Sequence, residues 1–175
     1  MRPLHTILRL LVGGLFVGHG AQKLFGWFGG HGIEGTGGFF ESLGIKPGKE
    51  AAILAGASEA GGGLLLASGV ATPLAGAALT GTMVQAIRSV HAPKGPWATE
   101  GGWEYNAVLI AAVLAVVEEE DGLIWALATL AAGVVGPDLA LQVARKLNPE
   151  LVDTTPAPAS TGPEPVAAPA PADVI

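Results

Sequence analysis

Cysteine is absent from this chain of 175 residues. That excludes a disulfide, a thiolate nucleophile, and a cysteine-bound zinc or iron-sulfur cluster of its own. Charge is scarce: 14% of residues are charged, against about a quarter in an ordinary soluble domain. An excess of basic charge is also missing, since the net charge is −6, and this argues against a nucleic-acid-binding face. What is present in quantity is apolar, with half of the residues hydrophobic. A soluble domain of this size leaves roughly a third of its chain surface in water, too much to hide so many apolar side chains. A bilayer removes that limit, and membrane lipid is the first partner expected.

The hydrophobic stretches have the length of membrane spans. Ile7 to Phe25 is long enough to cross a hydrocarbon core as a helix, and Trp27 and Phe28 follow it as interface anchors. Basic residues ahead of an apolar run outline a signal peptide, but no small-x-small site flanks a clean end of the run, and three more hydrophobic segments follow. From Gly29 to Glu50 the chain is rich in glycine and charge and reads as a loop outside the membrane, with a short helix around Phe39 to Leu43. Ala51 to Ala71 is the second span, with Glu59 its single ionisable residue. Thr72 and Pro73 form a tight turn, because proline suits the first turn of a new helix. The third span runs from Leu74 to Val90, and the fourth from Trp103 to Val117, ending in Glu118, Glu119, Glu120 and Asp121.

Beyond the acids, Leu123 to Val135 is short for a span, although a fifth crossing stays open. Pro137 to Leu147 has the pattern of a short amphipathic helix ending in Arg145 and Lys146. The expected fold class is therefore an all-α membrane protein, a four-transmembrane-helix antiparallel bundle over residues 1–121. Residues 122–148 form an apolar interfacial or re-entrant segment plus the short amphipathic helix, and 149–175 a disordered tail rich in alanine and proline. Small residues at the spacing that lets helices approach closely in lipid pair Gly14 with Gly18, Ser58 with Gly62 and Ala77 with Gly81.

A charged side chain in a span costs at least about 2.5 to 3.5 kcal/mol on insertion scales, so each asks for a reason. The first span carries Arg9, His19, Gln22 and Lys23, and the second Glu59. The third carries Gln85, Arg88 and His91, and the fourth begins with Glu104, Tyr105 and Asn106. If short connections make the spans antiparallel neighbours, all of these except Arg9 fall toward one face of the membrane. His19 and Lys23 share a helix face, as do Gln85, Arg88 and His91 in steps of three. Lys23 and Arg88 are expected to neutralise Glu59 and Glu104, leaving imidazoles, a phenol and amides to line a pocket. Arg9 lies at the other end and is expected to snorkel to that surface. The bland alternative is that these charges only hold the bundle in register. Arg2, Arg9, Arg145 and Lys146 outnumber Lys46, Lys49 and Lys94 by one, which places both termini in the cytoplasm and the pocket toward the outer face.

The stretches LRLLVGGLFVGHGAQKLFGWFGGHGIEGTGGFFESLG, AGASEAGGGLLLASGVATPLAG, VHAPKGPW and GGWEYN resemble the DoxX family of bacterial membrane proteins, over about Leu8 to Val117. The resemblance implies a four-helix protein of the bacterial inner membrane. It carries His19, Gly20, Lys23, Glu59, His91, Glu104 and Tyr105 onto matching positions of the family pattern. Some members are named as membrane subunits of a thiosulfate:quinone oxidoreductase, others are associated with superoxide dismutase and a sulfurtransferase in oxidative-stress defence, and many have no established activity. Thr72-Pro73 and the HAPKG run depart from the family pattern, and the chain from Glu118 onward lies outside it.

Two functions compete. In the first, a redox subunit binds quinone in the pocket. His19, His91, Glu59, Glu104 and Tyr105 are then the candidate catalytic residues, handling hydrogen bonds and protons, while Lys23, Gln85, Arg88 and Asn106 hold the cofactor. Without cysteine, electrons must come from a soluble partner protein or a bound group. Haem between His19 and His91 is disfavoured by the lysine and arginine beside them, and no metal site is expected. In the second, the protein is a non-enzymatic membrane scaffold or small-solute carrier, and Lys23 and Arg88 suit an anion. Whether it is an enzyme, and whether it forms a homo-oligomer, the residues leave open.

Overall fold

A computed structural model describes residues 3–147, and the expected tail at 149–175 lies outside them. The described residues form six α-helices: α1 (Pro3–Phe25), α2 (Gly32–Ser42), α3 (Gly48–Ser68), α4 (Thr72–Ala86), α5 (Glu104–Asp121) and α6 (Leu123–Leu147). No strand occurs among the described residues.

The connections show why the helices end where they do. Gly69 closes α3 in the left-handed conformation (φ 73°), which glycine adopts without steric cost. Ala71 then turns the chain, and Pro73 sits in the first turn of α4, where its missing N–H is no loss. At its far end α4 widens into a π turn over Ile87–His91, where the Ala92 N–H reaches back to Ile87 O. The ladder could not continue beyond this point, because Pro93 has no N–H to give.

Close approaches set the directions of the helices. Gly13 of α1 meets Gly63 and Ala67 of α3, while Gly20 meets Gly56 and Ala60, so α1 and α3 run antiparallel. Gly76 meets Val113 and Val117, and Met83 meets Asn106, so α4 and α5 do likewise. Along α6, Thr129 faces Gly76, Gly133 faces Thr80, and Asp138 faces Arg88, so α6 runs parallel to α4. One buried core joins α1, α3, α4 and α5 through Val12, Phe16, Leu66, Leu79, Val113 and Val116. Large apolar side chains such as Leu4, Leu11, Leu64, Leu74 and Ile124 point outward, giving the bundle a surface suited to lipid.

Three features differ from the sequence reading. The packing face of α1 is Gly13 and Gly20, whereas a Cβ on Gly14 or Gly18 would meet nothing within 4 Å. Positions seven apart return to the same side after two turns, and Gly14 and Gly18 are rotated off that side. The stretch after the acids is one continuous helix, Leu123–Leu147, with Pro137 inside it, not a short apolar run followed by a separate amphipathic helix. Because α6 runs parallel to α4, its last turn lies at the end of the bundle opposite Pro3, where the sequence count had not placed it. The loop after α1 is also more ordered than expected, since α2 covers Gly32–Ser42.

Among the described residues three helices are long and apolar enough to cross a membrane: Pro3–Phe25, Gly48–Ser68 and Leu123–Ala140. The α4 helix is shorter, at 15 residues, and α5 ends in four consecutive acids.

Candidate functional site

Between the helices, at the end where α1 and α4 terminate, lies a cavity of about 1050 Å³. Phe39 and Phe40 of α2, Leu54 of α3, Leu109 of α5 and Ala140 of α6 line its apolar part. His19, Lys23, Glu59, Gln85, His91, Tyr105 and Asn106 also line it, so seven of the nine residues expected at a pocket meet there.

Glu59 is the most deeply placed of the charged groups, with its side chain only 3% exposed, and Lys23 Nζ donates to its Oε2 at 2.6 Å. The position of Glu59 in α3 makes this pairing necessary, because an unpaired carboxylate at such depth would be far too costly. Two anchors hold the imidazoles. Gln22 accepts from His19 Nδ1 at 3.1 Å while its own Nε2 donates to Phe28 O. His91 Nδ1 lies 2.7 Å from Gly101 O, in the loop that leads into α5. Asn106, buried, directs its Nδ2 to Met83 Sδ at 3.4 Å, and Gln85 Nε2 donates to Ser89 Oγ. Among these groups only the Tyr105 hydroxyl has no hydrogen-bond partner among the described residues, and its side chain is half exposed.

Two expected members stand elsewhere. Arg88 does not neutralise Glu104: its guanidinium reaches α6, donating to both carboxylate oxygens of Asp138 at 3.1 Å and to Val134 O. Glu104 Oε1 instead accepts the Ala98 N–H at 2.7 Å, closing the loop ahead of α5 at a helix start that favours a negative charge. Neither lines the cavity. The physical reason is α6, which supplies a carboxylate nearer to Arg88. Asp138 is a residue that sequence reasoning missed, because Pro137 beside it suggested a break.

The DoxX family model matches residues 4–92, slightly more than half of the chain. The chain belongs to the DoxX family. Neither a curated protein nor a solved structure matches it. The match takes in α1 through the π turn, and with them His19, Lys23, Glu59, Gln85, Arg88 and His91. The cavity residues Tyr105 and Asn106 lie beyond it, as does Glu104.

This DoxX protein also has a second polar cluster, at the opposite end of the bundle. Arg9 does not snorkel outward: it is 8% exposed, and its Nη1 donates to Glu120 Oε1 at 2.8 Å. His5 Nδ1 lies 3.5 Å from the same oxygen, and Thr72 Oγ1 donates to Asp121 Oδ2. The guanidinium passes so close over Gly69 that any side chain there would run into it. The signal for this cluster was the acid run that ends α5, whose carboxylates lie in the last turn of a helix, where the dipole disfavours them. They need cations, and α1 supplies Arg9.

Proposed function

We propose that this protein is a membrane subunit of a quinone-linked redox system in the bacterial inner membrane, with the quinone held in the cavity at the end of α1 and α4. The observation that carries the reading is the composition of that one cavity: apolar walls wide enough for an isoprenoid-bearing ring, together with two imidazoles and a buried Lys23–Glu59 pair. Ligand sites of this kind are mostly apolar with a few placed polar groups, and intramembrane carboxylates and histidines suit proton relays. The polar set fits the head of a quinone or hydroquinone. Lys23 would donate to one of its oxygens, His19 and His91 would accept from its hydroxyl groups in the reduced form, and Glu59 would take or return protons through Lys23. A bound quinone would supply two-electron chemistry; with no cysteine in the chain, electrons pass to or from a partner protein or a further bound group.

In the same proposal α1, α3, α4 with its π turn, and α5 are the four spans of the bundle, and α6 is a fifth. Among the described residues the cavity end then carries Lys46, Lys49, Lys94, Arg145 and Lys146 by position, against Arg9 at the other end. The richer end belongs in the cytoplasm, which turns the cavity inward and not toward the outer face.

The test is to purify the protein in mild detergent, extract bound lipid, and assay it for quinone by mass spectrometry. Quinone recovered from the wild type and lost from Glu59→Gln, with expression unchanged, is the expected result. No quinone in any preparation would leave a scaffold or small-solute carrier, with Lys23–Glu59 as a structural pair.

A further inference from the structure

We infer that the cavity is set to select a hydrogen-bond-donating head group, the hydroquinone in preference to the quinone, because both of its histidines present a bare Nε2 lone pair. The inference rests on the quinone-linked reading of the cavity and adds to it which redox form the site retains.

The tautomers follow from the anchors. Gly101 O can only accept, so the hydrogen between it and His91 Nδ1, 2.7 Å away, belongs to the imidazole. At His19 the partner is an amide, whose orientation must be settled first. Gln22 Nε2 donates to Phe28 O at 3.3 Å, and flipping the amide would set two oxygens against each other. Gln22 Oε1 therefore faces His19 Nδ1 at 3.1 Å, and the nitrogen donates. A neutral imidazole has one donor and one acceptor nitrogen, so in both rings Nε2 is the acceptor.

The other polar groups do not discriminate between the two forms: Lys23, which gives one N–H to Glu59, and the Tyr105 hydroxyl can donate to an oxygen of either, while Asn106 and Gln85 direct N–H groups to Met83 and Ser89. A quinone brings two carbonyl oxygens and no hydrogen, so against either Nε2 it sets lone pair against lone pair. A hydroquinone brings two hydroxyl groups, and each can donate to Nε2 while its oxygen remains free to accept from Lys23 or Tyr105. One such hydrogen bond is worth about tenfold in affinity.

Binding of decyl-benzoquinone and of its anaerobically reduced hydroquinone is to be measured by titration calorimetry on the full chain, at about pH 8, where free imidazole is neutral. The hydroquinone is expected to bind about tenfold tighter or better. His91→Gln places near the Nε2 position an amide able to donate or accept, and it should bring the two affinities together by strengthening quinone binding. Nitrogen-15 spectra of histidine-labelled protein, with the His19 and His91 signals assigned by their loss in His19→Gln and His91→Gln, should show both imidazoles protonated at Nδ1 and bare at Nε2. Equal binding of the two forms, tighter binding of the quinone, or Nε2 protonation of both these rings would overturn the inference and leave the quinone-linked reading standing. Binding of neither form would remove that reading as well.

Discussion

Glu59 shows how a single residue could be priced before its partner was visible. It is the one ionisable group in its span, and the cost of a charge in hydrocarbon obliges a cation to come near. Lys23 was legible as that cation because the α1–α3 connection puts the two helices side by side. The same reasoning failed for Arg88 and Glu104. Each found a nearer partner, Asp138 in α6 and the Ala98 N–H in the adjoining loop, and sequence spacing does not rank distances between helices. A buried pair differs from a stabilising one, and that difference is measurable. Lys23→Ala should cost about 3 to 5 kcal/mol by leaving a buried carboxylate alone, whereas Lys23→Met combined with Glu59→Leu should restore most of the stability. Thermal melts in detergent give both values, and a double variant no more stable than the single one would show that the charges do more than neutralise each other.

Among the elements, α1 illustrates both the reach and the limit of small-residue patterns. Its glycines do mark a packed helix pair, as the close approach of Gly13 and Gly20 to α3 shows, and such contacts take the place of the hydrophobic effect between helices in lipid. Which glycines form the face was not legible, because α1 offers two overlapping small-residue series and only α3 selects between them. Gly20→Leu should therefore cost about 1 to 3 kcal/mol or more by forcing the backbones apart, while Gly14→Leu should leave the melting temperature nearly unchanged. Equal effects of the two would place the α1–α3 contact elsewhere. In α6 the misleading signal was Pro137, which removes an N–H and usually ends a helix. Inside a packed bundle such a break is tolerated, and here the Arg88 guanidinium braces α6 beside it, donating to Val134 O and to Asp138.

For the whole molecule, the proposed sidedness rests on the direction of α6, and reporter fusions test it. A phosphatase fusion after Leu147, active only when exported, should be silent, and a fluorescent-protein fusion there should be bright. The opposite pair of results would return the cavity to the outer face. The all-helical class, the membrane setting and the gathering of His19, Lys23, Glu59, Gln85, His91, Tyr105 and Asn106 were determined by the sequence itself. Those properties depend on composition, on the length of apolar runs and on the alternation of antiparallel neighbours, all of which are local or nearly so. The burial of Arg9 with Glu120, the pairing of Arg88 with Asp138 and the Nδ1 anchors of the two histidines were decided only by the tertiary structure. Each depends on which of several competing partners lies within about 3 Å, and that is a property of packing across the bundle that no spacing along the chain contains.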